Sequence, residues 1–165
     1  MLRNVRSHRP ERGAITVVSA LLLLLATAVL AVVLPGTAQA ATPVCNNLTY
    51  ISAPSQPPSD MHVPTYGAQT GNKECHLSRG HQGLAVKVLQ EALNSCYSRG
   101  LLLDGKYGQN TYNAVLWVQR DINATWEWAN IAEDGGYGPQ TRAWMGFAIF
   151  GKNGGPMMQG CYFPG

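Results

Sequence analysis

Asp104-Gly105-Lys106-Tyr107-Gly108-Gln109-Asn110-Thr111 returns thirty residues later as Asp134-Gly135-Gly136-Tyr137-Gly138-Pro139-Gln140-Thr141. Upstream of each copy stands a second shared pattern, Val86-x-x-Leu89-Gln90-x-x-Leu93 and Val115-x-x-Val118-Gln119-x-x-Ile122, displaced by 29. The unit is a helix followed by an Asp-Gly-x-Tyr-Gly turn, repeated and closed by a third helix. In the turn, the aspartate carboxylate can accept from the amide two residues on, and the glycines can take positive φ. Tyr107 and Tyr137 are expected to bury their rings, and Thr111 and Thr141 to satisfy a backbone group in the first turn of the next helix. A calcium loop would need several oxygen ligands at alternate positions. Each turn offers one carboxylate, or two where Glu133 precedes Asp134, so the structural reading is preferred.

Working outward, residues 83–96 place Ala85, Val86, Leu89, Ala92, Leu93 and Cys96 on one helical face. Residues 109–122 do the same with Thr111, Ala114, Val115, Val118 and Ile122. Pro139 after Gly138 suits a helix start, and a third helix is expected over residues 139–150. Residues 151–165, with four glycines before Cys161, are expected to be loop. Residues 41–73 are rich in Pro, Ser, Asn and Thr and read as an extended arm, with short strands over 48–51 and 62–66.

The first forty residues are set apart from this unit. Arg3, Arg6, Arg9 and Arg12 precede an apolar run over residues 14–34, then Pro35-Gly36 and Ala38-Gln39-Ala40. That order predicts a secretory signal peptide cut after Ala40. A retained membrane anchor is the competing reading, because 21 apolar residues are long enough to span a bilayer. The leader holds four of the twelve Lys and Arg residues and one of the nine acidic ones, so it carries the whole formal charge of +3. Eight of each sign remain, which gives no reason to expect a nucleic-acid partner, or a membrane partner once the leader is cut.

Cys45, Cys75, Cys96 and Cys161 all follow the expected cut. An even number in a short exported chain predicts two disulfides. Three pairings are open. Cys75–Cys96 with Cys45–Cys161 is favoured, because the segment 75–83 is long enough to fold back along the first helix. No Cys-x-x-Cys spacing supports a zinc site.

These motifs, in order and with compatible spacing over about residues 77–147, resemble the bacterial peptidoglycan-binding-domain family of the three-helix type. The resemblance implies a compact three-helix fold that binds wall polymer, usually joined to a wall hydrolase. The expected architecture is all-α: a compact three-helix bundle with an internal helix–turn–helix repeat, an extended N-terminal arm and two disulfides. The expected division is a signal peptide at 1–40, the arm at 41–73 and the binding domain at 74–165. Departures from the family pattern are Val118, where an aromatic is common, and a long link over 123–133 carrying Trp126 and Trp128.

Catalysis is not expected. His62, His76 and His81 lack the spacing of a metal triad, Asp60 and His62 lack a third ligand, and oxidised cysteines offer no nucleophile. Asp104 and Asp134 are committed to turns, so paired carboxylates for glycoside cleavage are not evident. No metal and no cofactor is expected. For binding, the candidates are Trp126 and Trp128 in the link, with Tyr112, Trp117 and Arg120 on the second helix. Trp117 and Trp144 also suit core packing, and Arg142 a solvated face. Gln90 and Gln119 are expected to be buried hydrogen-bonders. The reading is a secreted, monomeric, non-catalytic module for peptidoglycan, with a secreted wall enzyme as a further partner. Its alternatives are a protein-interaction, inhibitor or accessory protein on the same fold, and a small wall hydrolase using the three histidines.

Overall fold

A computed structural model describes residues 41–53, 59–67, 71–152 and 155–163. The expected leader, with its apolar run, lies outside these residues. Gln39–Gly165 forms one compact unit by itself. Among the described residues, no helix is long and apolar enough to cross a membrane.

Within the described residues, seven elements follow in the order β1 (Asn47–Ser52), β2 (Ser59–Thr65), α1 (Leu84–Tyr97), α2 (Gln109–Thr125), α3 (Pro139–Trp144), β3 (Phe147–Gly151) and β4 (Met157–Tyr162). The strands form one antiparallel sheet in the order β1-β2-β3-β4. The all-α expectation is therefore wrong. The three helices are present, but α1 packs against all four strands as well as against α2.

Two local causes explain the difference. First, α3 stops after six residues, at Trp144. Met145 is extended and Gly146 follows, so the apolar run Phe147-Ala148-Ile149-Phe150 leaves as a strand. All four of its residues are buried, as befits a strand with neighbours on both sides. Second, the glycine-rich tail is a hairpin and not a loop. Gly151 N–H donates to the Pro156 carbonyl at 2.9 Å, and Gly155 N–H to that of Gly151 at 2.9 Å. A Cβ on Gly155 would lie 3.1 Å from the Gly151 Cα, so the glycines let the two backbones close this turn.

The expected arm supplies β1 and β2, which contain or overlap the short strands read from the sequence. Pro64 is tolerated within β2 because pairing with β3 covers only Ser59, Asp60 and Met61. Met61 and Val63 join Leu77, Val86, Leu89, Leu93, Val118 and Phe147 in one continuous core.

The disulfides are Cys45–Cys75 and Cys96–Cys161, which overturns the expected pairing. The segment 75–83 does not fold back along α1, because its backbone is committed elsewhere. Leu77 exchanges both backbone hydrogen bonds with Tyr137, at 2.8 and 2.9 Å. Gly80 and Gly83 N–H donate to the Tyr107 and Gly105 carbonyls at 3.0 and 2.8 Å, and Tyr107 N–H donates to His81 at 2.9 Å. The segment thus joins both repeat turns, which carries Cys75 to the arm and leaves Cys96, in the last turn of α1, to meet β4.

Candidate functional site

Each repeat turn is closed around a buried glutamine. Gln90 Nε2 donates to Asp104 Oδ1 (2.9 Å), the Lys106 carbonyl (3.1 Å) and Thr111 Oγ1 (3.2 Å), and its Oε1 accepts from Gly105 N–H (2.9 Å). Gln119 repeats the set with Asp134 Oδ1 (3.0 Å), the Gly136 carbonyl (2.9 Å), Thr141 Oγ1 (3.1 Å) and Gly135 N–H (2.8 Å). The aspartates also accept from the amides two residues on, Lys106 and Gly136, at 2.9 and 2.8 Å. Hydrogen bonds from Gln90 first, and then from the Lys106 amide, hold the Asp104 carboxyl below the usual carboxylate range. The threonine hydroxyls donate to the turn carbonyls of Lys106 and Gly136, and not to a group in the following helix as expected.

The repeat runs further than the sequence patterns showed. Asn94 clamps Leu101 through both its amide atoms, at 2.8 and 2.6 Å, and Asn123 clamps Ile131 in the same way, at 2.9 and 2.9 Å. Seven residues separate the first pair and eight the second. The change of displacement from 29 to 30 is therefore one extra residue inside the second link, the stretch that carries Trp126 and Trp128.

Two contrasts within the repeat are testable. Gly135 has φ +64°, and a Cβ there would run into the Tyr112 ring. Gly108 is extended and faces open space. Gly135→Ala is expected to cost on the order of 3 kcal/mol and Gly108→Ala well under about 1, as read by urea unfolding. The second contrast concerns the tyrosines. Tyr107 OH donates to the Gly135 carbonyl at 2.8 Å, whereas the buried Tyr137 OH has no partner among the described residues. Burial pushes both phenols well above their ordinary range. Tyr107→Phe is expected to lose about 1 kcal/mol and Tyr137→Phe to lose nothing or gain slightly, as read by thermal unfolding.

The sequence candidates fall in three places. Trp117 (41% exposed) and Trp126 (44% exposed) line a common groove of about 470 Å³ beside the end of α2. Trp128, 71% exposed, stands at its edge with its ring centroid 5.7 Å from that of Trp126. Tyr112 lies elsewhere, under the Arg79 guanidinium at 4.5 Å. Arg120 is also away from the groove and pairs with Glu133 at 3.3 Å in the open. Sequence reasoning missed Tyr97, Asp121 and Phe163 as lining residues, and assigned Trp144 to packing alone. Trp144 is half-buried, and its centroid is 6.3 Å from that of Trp126.

Each wall of this groove has a local cause. Trp126 sits at the C-cap of α2, its N–H donating to the Ile122 carbonyl at 2.8 Å, and a turn from Trp126 to Ala129 presents Trp128. Tyr97 ends α1, and its oxygen accepts from Gly146 N–H at 2.6 Å. Burial pushes the Tyr97 phenol up to about 12, so it is neutral at ordinary pH. Phe163 is brought over Gly146 by β4 and the Cys96–Cys161 bridge. Arg99 lies 3.8 Å over the Trp117 ring. Smaller recesses of about 230 and 310 Å³ adjoin the turns at Asp134 and Asp104.

The histidines do not converge. His76 and His81 meet at 5.4 Å, while His62 stacks on Phe150 at 4.0 Å with Glu91 at 3.6 Å. Burial and then the neighbouring His76 lower the His81 pKa. Among the described residues, no group of three or more His, Cys, Asp or Glu side chains is placed to hold a metal ion.

Comparisons with curated proteins and with solved structures each gave no match. Residues 82–145, which span α1, α2, α3 and both repeat turns but none of the four strands, match the family model described as "Putative peptidoglycan binding domain".

Proposed function

We propose that the protein is an exported, non-catalytic module that holds bacterial peptidoglycan at the groove formed by Trp117, Trp126 and Trp144, with Trp128 at its edge. The observation that carries this reading is the coincidence of two things. The segment similar to a peptidoglycan-binding family includes all four tryptophans, and three of the indoles are exposed. A large exposed aromatic surface is a cost in solution unless something covers it. Two disulfides suit an oxidising compartment, and residues 1–40 act in this reading as a signal peptide cut after Ala40. The described cysteines include no free thiol, and the Asp104 and Asp134 carboxylates are held inside the turns.

The test is co-sedimentation of the oxidised protein, residues 41–165, with purified insoluble peptidoglycan. The wild type is expected in the pellet, and Trp126→Ala/Trp128→Ala is expected to remain in the supernatant. Wild-type protein left in the supernatant sinks the wall reading and directs the search to a protein partner.

A further inference from the structure

We propose that the aromatic groove takes the glycan strand of the wall polymer, as a run of neutral N-acetylhexosamine rings, and not its peptide stems. The assignment rests on the wall-binding reading for its choice of polymer. It stands on the geometry and charge of this groove, which includes Phe163 from outside the segment similar to the family.

The indole planes are mutually inclined, by 56° between Trp126 and Trp128 and by 39° between Trp126 and Trp144, at centroid separations of 5.7 and 6.3 Å. No single flat ligand lies on all three. Successive rings of a linked chain do, each offering its face of C–H bonds to one indole. A sugar ring also carries a rim of hydroxyl and acetamide groups. The Asp121 carboxylate and the Thr125 and Ser98 hydroxyls, which line the same groove, supply acceptors and donors for that rim.

Charge separates the two parts of the polymer. Among the described lining residues, Asp121 is the one acidic side chain, and no lysine or arginine lines the groove. Two cations adjoin lining residues along the chain: Arg99 lies over the Trp117 ring and borders a separate recess with Asn113, and Arg120 pairs with Glu133 at 3.3 Å. A stem peptide brings more carboxylates than amines, and these would meet the Asp121 carboxylate with no cation among the lining residues to offset it. A wholly apolar partner would cover Asp121 and strip its water without a replacement. A neutral, hydroxyl-rimmed ring avoids both costs.

The experiment titrates the oxidised protein, residues 41–165, with a β-1,4-linked tetramer of N-acetylglucosamine and, separately, with a stem tetrapeptide, reading tryptophan fluorescence and calorimetric heat. The tetramer is expected to change the emission and to bind with little dependence on salt. Trp126→Ala is expected to weaken it roughly tenfold, while Trp126→Phe, which keeps a ring, retains most of the affinity. The stem peptide is expected to give no signal. If the protein sediments with the wall but binds the stem peptide and not the tetramer, the glycan assignment is overturned and the wall reading survives. If the tetramer binds but the protein does not sediment with the wall, the wall reading fails and the groove's ligand class stands. Tetramer binding indifferent to Trp126→Ala overturns the placement in this groove.

Discussion

Cys96→Ala/Cys161→Ala is expected to lower stability by about 4 kcal/mol, which would leave a domain of this size close to unfolding. The bridge spans 65 residues and joins the last turn of α1 to β4 across α2, both turns, α3 and β3. Loop-closure entropy grows only logarithmically, so the Cys45–Cys75 bridge, spanning 30 residues, is expected to be worth about 0.7 kcal/mol less. The two bridges are separated more clearly by what else is lost. Without Cys96–Cys161, β4 loses its covalent tie and Phe163 its fixed place over Gly146, so wall binding should weaken even where the protein still folds. Loss of Cys45–Cys75 should spare binding. Urea unfolding of both double variants, followed by wall sedimentation below the transition, checks this. Equal loss of binding in both would mean that the groove does not depend on β4.

Gln119→Leu is expected to cost on the order of 3–5 kcal/mol despite its similar volume. Gln119 is 1% exposed and makes four hydrogen bonds inside the second turn. Leucine leaves the buried Gly135 N–H and the Gly136 carbonyl without that partner. Gln119→Glu separates the donor and acceptor roles. It can still accept from Gly135 N–H, but it loses the donor to Asp134 and the Gly136 carbonyl, and sets a carboxylate beside the Asp134 carboxylate. A loss as large as that of the leucine variant, in urea unfolding at neutral pH, is expected. A small loss for both would mean that the turn is held by its glycine conformation and tyrosine packing alone.

The helices and turns were legible because their signals are local. A hydrophobic period, a proline at a helix start and an Asp-Gly turn each act within a few residues, and repetition doubled each signal. The sheet was not legible for three reasons. Phe147–Gly151 is a short apolar run, and periodicity does not separate a buried strand of that length from a helical turn. The tail's glycines read as loop, although they close a hairpin between backbones in contact. The disulfide pairing depended on the path of residues 75–83, which is set by hydrogen bonds to turns 22 and more residues away. The matched segment stops at residue 145, just before β3, so the family resemblance pointed toward helices and carried no information about the strands.

The candidate site was half visible. Trp126 and Trp128 stood out in a link that proves one residue longer than its counterpart in the first repeat. Tyr97, Trp144 and Phe163 join them from α1, α3 and the end of β4, which no spacing rule links to residue 126. Tyr112 sits on α2 with Trp117 but about 140° round the helix, while Arg120, about 60° from Trp117, is turned to its pair with Glu133.

In the proposed function the wall polymer sits on the indoles beside α2. The most direct measurement is a titration of indole-labelled protein, residues 41–165, with soluble muramidase fragments of peptidoglycan, followed by nuclear magnetic resonance. Shifts at the indole N–H groups of Trp117, Trp126 and Trp144, with the amides of residues 104–111 and 134–141 unmoved, are the expected result. Shifts confined to those two turns, or no shifts at fragment concentrations that compete with wall binding, would contradict it.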